Sequence, residues 1–283
     1  MKITKVFNNS AVLGLDEHGG EVVLFGRGLG FRTRPGDEVD PSDVERKFVP
    51  GGATSTDRIA EYLQDIPADD ITLAENILGE ARKEFGPSVS ENALFPLADH
   101  LNFAFRRIRE GINIDYALQW EVASLYPREL AFAQRMLDVV AERRRIVLPG
   151  GEAVALALHF VNAQFGAGEM SETMKVTDAL VAVLRTASDE FGVPVDPESV
   201  FVARFVTHVR YLILRRMRGA GVAEVDPEVG DAVRAASPGA YSVAERMADE
   251  LSQTFGWDVG TEERFYLALH VYRLLGKRDT GKT

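Results

Sequence analysis

Glu152-Ala153-Val154-Ala155-Leu156-Ala157-Leu158-His159 returns as Glu263-Arg264-Phe265-Tyr266-Leu267-Ala268-Leu269-His270, with Leu-Ala-Leu-His identical in both. Outward from this pair, Glu84-Phe85-Gly86 precedes His100 and Glu190-Phe191-Gly192 precedes His208. Each of those histidines leads into an apolar stretch with adjacent arginines, Arg106-Arg107 and Arg215-Arg216. The intervals agree: 59 residues from His100 to His159, and 62 from His208 to His270. A period of about 110 residues marks a duplicated unit, and apolar residues three and four apart, as in Ile77, Leu78, Ala81 and Phe85, make it helical. We expect two all-α helical-bundle domains, residues 56–168 and 169–283, with the break at Phe165-Gly166-Ala167-Gly168-Glu169. Thr72 with Glu75 and Ser88 with Glu91 fit the capping box, and Asp196-Pro197 fits a cap followed by proline in the first turn.

The first fifty residues differ in kind. Short β-rich runs at 3–7, 11–15, 21–25 and 29–33 are separated by Asn8-Asn9, by Asp16-Glu17-His18-Gly19-Gly20 and by Gly26-Arg27-Gly28. Runs of about five residues punctuated by Gly and Asn predict antiparallel hairpins, with no helix before the linker at Pro50-Gly51-Gly52. The fold class is therefore multidomain: a small antiparallel β-sheet domain, residues 1–55, followed by the two helical domains. A sheet this small is expected to expose one face and two edges. Pairing with a second copy, as a homodimer, is the simplest remedy.

Composition narrows the function. The 283 residues are 46% hydrophobic, enough for real cores, and the net charge of −11, from 32 basic and 43 acidic residues, argues against a surface built for sequence-blind nucleic-acid binding. With no cysteine, disulfides, thiolate zinc sites, iron–sulfur clusters and cysteine nucleophiles drop out together. No apolar run nears the roughly 18 residues that span a bilayer, and Met1 to Asn9 has no signal-peptide core. The expectation is a soluble cytoplasmic protein without membrane insertion.

Four of the five histidines occupy the repeated positions. A single helical histidine is most often a satisfied structural residue, but the same two positions carry imidazole in both units while their neighbours vary. Metal ligation wants a spacing such as His-Glu-x-x-His, which does not occur, and no Gly-x-Ser-x-Gly elbow marks a hydrolase. Asp99 beside His100 points another way on a helix. No Gly-x-x-x-x-Gly-Lys loop binds a nucleotide. Acceptance of a phosphoryl group from a donor protein needs no metal, cofactor or catalytic residue in this chain, and it remains. Gly26-Arg27-Gly28-Leu29-Gly30 is not a dinucleotide fingerprint, because no helical pattern follows it. Its glycines either shape a turn or let Arg27 and Phe31, with Lys5 and the Asn8-Asn9 amides, meet RNA.

These residues resemble a known family. Met-Lys-Ile-x-Lys-Val-x-Asn-Asn, then Gly-Arg-Gly-Leu-Gly-Phe, then Gly36-Asp37 is similar to the co-antiterminator RNA-binding domain of the BglG/LicT/SacY type of transcriptional antiterminators. The segments around His100, His159, His208 and His270 resemble that family's paired phosphotransferase-system regulation domains. The resemblance implies a dimeric amino-terminal domain that binds a leader-transcript hairpin and holds it against an overlapping terminator. It assigns contacts to Lys5, Asn8, Asn9, Ser10, Gly26, Arg27 and Phe31. It makes His100 and His159 acceptors answering to a sugar-specific permease, and His208 and His270 acceptors answering to the phosphocarrier protein. The chain departs from the pattern at Ser10, where relatives often carry asparagine, and at Gly30, where alanine is frequent. A DNA-binding activator sharing the regulation domains, an enzyme using phosphohistidine and a purely structural interaction protein are the competing readings. The first lacks a helix-turn-helix segment here, the second lacks a marked substrate pocket, and the third leaves the paired histidines unexplained.

Overall fold

Asx turns fix the first two hairpins. Asn8 Oδ1 accepts the N–H of Ser10 and of Ala11, both at 2.8 Å, and Asp16 Oδ1 accepts those of His18 and Gly20, both at 2.9 Å. They join β1 (Lys2–Val6), β2 (Ala11–Leu15) and β3 (Glu21–Phe25), and β4 (Arg46–Phe48) completes an antiparallel sheet ordered β1-β2-β3-β4. The structure is a computed structural model describing residues 1–49, 59, 62, 66–112, 114, 116, 118–165, 170–191, 199–217, 219 and 227–275.

Two expectations for this domain are corrected. The run at 29–33 is not a strand: α1 (Leu29–Arg32) is a single helical turn entered through Gly28 at φ 68°, and a short 3-10 turn follows at Pro41–Asp43. Leu29 drops into the core beside Ile3, Val12, Val22, Leu24 and Val39, while Phe31 and Arg32 point outward. A left-handed glycine that redirects the chain outweighs the β propensity of so short a run. Nor is the sheet left with a bare face and two free edges. Main-chain bonds Ile3 N–H to Asp37 O (2.9 Å), Gly36 N–H to Ile3 O (2.8 Å) and Val39 N–H to Met1 O (2.9 Å) cover the β1 edge. On the face opposite Leu24, Ala11, Val23 and Phe25 are buried within the chain. Near them β4 meets the helices: Phe48 packs on Phe95 at 5.0 Å and Arg46 pairs with Glu75. The chain itself thus covers the β1 edge and both faces of the sheet.

The chain forms two compact units, Met1–Ala117 with Arg128–Met170, and Leu118–Pro127 with Ser171–Thr283. In the first, α2 (Ala68–Phe85) begins after Pro67, carries Asp69 and Asp70 in its first turn and Arg82 and Lys83 in its last, and stops at Gly86, φ 93°. Thr72 thus lies inside a helix rather than capping one. Ser90, not Ser88, caps the 3-10 turn Glu91–Ala93 that leads into α3 (Leu94–Arg109). With α5 (Pro127–Arg144) and α6 (Glu152–Phe165), these helices enclose a cluster in which Phe132 sits edge-on to Phe85 at 5.1 Å and to Phe160 at 4.8 Å. The second unit holds α4 (Gln119–Leu125), α7 (Met170–Phe191), α8 (Val200–Met217), α9 (Pro227–Ala236), α10 (Pro238–Phe255) and α11 (Thr261–Leu275). The hydroxyls of Tyr126 and Thr177 meet at 2.9 Å and tie the α4 segment to it. The proposed linker at Pro50-Gly51-Gly52, the cap at Asp196-Pro197 and the break at 166–169 lie outside the described residues. Among the described residues no helix is long and apolar enough to cross a membrane, and no group of three or more His, Asp or Glu could hold a metal ion.

Candidate functional site

Each unit brings its two histidines together. His100 on α3 and His159 on α6 have ring centroids 5.0 Å apart, tilted by 45°. Seven residues is two helical turns, so Glu152 shares a face with His159, and Arg107 shares one with His100. Glu152 Oε1 accepts a 2.8 Å hydrogen bond from Arg107, and Oε2 accepts a 2.6 Å bond from the Tyr116 hydroxyl. His100 Nε2 lies 3.2 Å from the same Oε2 but out of line for a hydrogen bond. Arg107 and Glu152 are 5% and 2% exposed, so this is a buried ion pair. Burial pushes the Glu152 carboxyl up, yet His100, Tyr116 and Arg107 together outweigh it and hold it below its usual value. Burial, then Glu152, pushes the Tyr116 hydroxyl up to about 12. Desolvation, reinforced by the His100 charge, holds His159 well below the ordinary histidine range. A cavity of about 270 Å³ opens onto His100, Phe103, Arg107, Tyr116 and His159.

The second unit repeats the arrangement. His208 on α8 and His270 on α11 stack at 4.4 Å and 28°, and Arg215, seven residues after His208, pairs with Glu263, seven before His270. Burial, then His270 and Arg215, lowers His208 to about 4; burial, then Arg273, lowers His270. In both units an exposed aromatic three residues after the first histidine lies under the arginine, Phe103 at 5.0 Å from Arg107 and Tyr211 at 5.3 Å from Arg215. All four histidines are partly exposed. His159, His208 and His270, held neutral at physiological pH by burial, keep a nitrogen lone pair free to attack phosphorus, and partial exposure lets a donor reach them.

This electrostatics has a sign that solution work can read. His208 faces His270, Arg215 and Tyr266, with Glu263 on the arginine and Arg273 beside His270. The folded state resists protonation that the unfolded chain accepts near pH ~6.5. As pH falls from there toward about 4, the unfolded state binds more protons and stability is lost; above this window the contribution is fully present. The second unit, which contains both Trp120 and Trp257, is expected to melt at lower temperature at acidic pH than at neutral pH. Tryptophan fluorescence reports it, and identical melting at both pH values contradicts the burial of neutral rings.

The amino-terminal candidates converge around α1. Main-chain bonds run from Phe31 N–H to Asn9 O (3.2 Å) and from Gly26 N–H to Ser10 O (2.9 Å), so the Asn8–Ser10 turn and the Gly26–Phe31 loop are one unit. Phe31 is 81% exposed, Arg27 and Asn9 are exposed, and Gly26 is buried. The Asn8 amide oxygen is already engaged in its own turn. Lys5 stands on β1, its Nζ 5.4 Å from the Phe7 ring, outside this hydrogen-bonded unit. Gly30 permits a close approach: a Cβ there would fall 1.9 Å from the Asn8 carbonyl oxygen.

Sequence reasoning quoted Arg107, Arg215, Glu152 and Glu263 only as landmarks of the repeat and missed their pairing, and it missed Tyr116 altogether. The signal was present for the pairs, since arginine stands seven after the first histidine and glutamate seven before the second in both units. For Tyr116 there was none.

Residues 1–55 match the CAT RNA binding domain, and residues 75–163 and 182–274 each match the PRD domain. The Beta-glucoside operon antiterminator of Dickeya chrysanthemi is 34% identical over 274 residues, 97% of this chain and 96% of that protein. Transcription antiterminator LicT of Bacillus subtilis (strain 168) is 30% identical over 275 residues, 97% of this chain and 99% of that one. A crystal structure of GlcT CAT-PRDI covers 58% of this chain and 97% of its own, with 25% identity and a TM-score of 0.46.

Proposed function

We propose a function from one premise: the chain belongs to the family of transcription antiterminators that join a CAT RNA-binding domain to two PRD domains. It is an RNA-binding antiterminator regulated by phosphorylation within its PRD domains. The finer reading is that residues 1–55 stabilise a leader-transcript hairpin against an overlapping terminator. His100 and His159 answer to a sugar-specific permease, and His208 and His270 to the phosphocarrier protein. A second copy of the chain shares the hairpin. The observation that carries this is the duplicated imidazole pair, 5.0 Å apart in one unit and 4.4 Å in the other. In the transfer, a neutral ring nitrogen attacks phosphorus, the donor's bond to phosphorus breaks with its electron pair returning to the donor, and the other ring nitrogen keeps its proton. The ring then bears about two negative charges and several acceptor oxygens beside a partner imidazole, which alters whatever arrangement the unmodified pair held.

Incubation with phosphoenolpyruvate and the general phosphotransfer proteins, followed by mapping of acid-labile phosphate and hairpin retardation on the same sample, tests this directly. Absence of phosphate on all four histidines, with no retarded hairpin, refutes it. At the RNA surface, Phe31→Ala is expected to cost about 1–3 kcal/mol of hairpin affinity, the range for one lost base–aromatic stack. Arg27→Ala should weaken binding and flatten its dependence on salt. Hairpin binding unchanged by both substitutions would remove these residues from the interface.

A further inference from the structure

A buried ion pair is weak grounds for stability, because well-packed apolar residues of similar volume often serve as well or better. Arg107 with Glu152, and the partly buried Arg215 with Glu263, stand at the same place in a duplicated domain, on the helices that carry each histidine pair, and call for another explanation. Arg107 and Arg215 each retain a buried Nε–H with no acceptor among the described residues, and Glu263 Oε2 is likewise unpartnered. Each site thus holds a guanidinium whose donors are only partly used. In the first unit the carboxylate oxygen nearest the histidine is 3.2 Å from Nε2. A dianion created on that ring would face a carboxylate in a poorly solvated site, where like charges at such range repel strongly.

We propose that Arg107 and Arg215 are exchangeable phosphoryl receptors: each is held by its glutamate, Glu152 or Glu263, while the histidines are unmodified, and moves to the phosphoryl oxygens once a neighbouring histidine is phosphorylated. The inference rests on the reading of these histidines as phosphoacceptors and adds what receives the charge. Before modification, arginine and glutamate neutralise one another. Afterwards the guanidinium fork fits phosphoryl oxygens as well as it fits a carboxylate, and the unpaired Nε–H gains an acceptor. The space for this exists in the first unit, where His100, His159, Arg107 and Tyr116 line one cavity of about 270 Å³. The Tyr116 hydroxyl, which bridges arginine and glutamate at 3.3 and 2.6 Å, keeps a hydrogen bond on the carboxylate that the arginine leaves. In the second unit the charge of Arg215 already bears on the His208 ring. Arg107 and Arg215 are therefore positioning residues: they acquire the mark after transfer and convert it into a broken ion pair between two helices.

The test needs no substitution that endangers folding. Full-length ¹⁵N-labelled protein is treated with phosphoramidate as a small phosphoryl donor, intact mass counts the groups added, and the arginine Nε–H resonances are followed by NMR. The expected result is a downfield shift and slowed solvent exchange of the Arg107 or Arg215 Nε–H in whichever unit carries phosphate. With His100→Ala and His159→Ala combined, the Arg107 resonance should stay in place while that of Arg215 still moves. Phosphorylated histidines with unshifted Arg107 and Arg215 resonances would overturn the receptor role alone. A mass spectrum without any added phosphoryl group would overturn the acceptor reading and, with it, this inference.

Discussion

Replacing Arg107 by methionine is expected to destabilise the first helical unit by about 3–5 kcal/mol, the usual cost of stranding one member of a buried ion pair. Glu152 is 2% exposed and would keep a charge with only the Tyr116 hydroxyl bonded to it and His100 out of line. Part of the cost is recovered if the carboxyl takes up a proton, so the penalty should shrink as pH falls. Hydrogen exchange of amides in α3 and α6 is the suitable measurement, because it isolates this unit from the rest of the chain. About 3–5 kcal/mol corresponds to two to four decades of lost protection. Adding Glu152→Leu to Arg107→Met should restore most of the stability, since no buried charge is then unpaired. If the single and double variants are equally unstable, the loss is one of packing and the pairing contributes little.

The same pair shows where sequence ends and structure begins. The four histidines were legible as a set because duplication gave each residue a counterpart, but that the two of one unit meet, at 5.0 Å and 4.4 Å, was not read from the sequence. Arg107 and Glu152 are 45 residues apart and Arg215 and Glu263 are 48. No local pattern joins such partners; only the superposed repeats, read as geometry, could have done so. In the sheet domain β1 to β3 followed from short β-rich runs and turn residues, but α1 did not. Four residues cannot display a helical period, and the decisive feature, Gly28 at φ 68°, is a backbone angle rather than a residue pattern. The covered β1 edge escaped for a similar reason. Residues 36–39 pair through main-chain atoms, to which side-chain patterning is blind. The expectation of two bare edges missed one that the chain itself occupies.

Gly26→Ala is the second large effect, and it separates shape from contact at the RNA surface. A Cβ on Gly26 would fall 2.1 Å from the Asp43 carbonyl oxygen, a backbone atom with no flexible end to yield. Gly26 also donates its N–H to Ser10 at 2.9 Å, so any retreat from Asp43 pulls on the Asn8–Ser10 turn. Asp43 in turn holds Arg32 of α1 at 3.3 Å. The cost of forcing one methyl group into such a site is roughly 1–3 kcal/mol, and every candidate RNA contact except Lys5 lies on the displaced segments. Hairpin affinity is therefore expected to fall at least as far as it does for Phe31→Ala, although Gly26 is buried and presents no side chain. Gly79→Ala supplies the control. It lies inside α2 with nothing within 4 Å of a Cβ, so helix propensity alone should stabilise it by about 0.5–1 kcal/mol, with hairpin binding unchanged. Retained affinity in Gly26→Ala would mean that the two loops need not be locked together to grip RNA, and that the exposed Arg27 and Phe31 suffice.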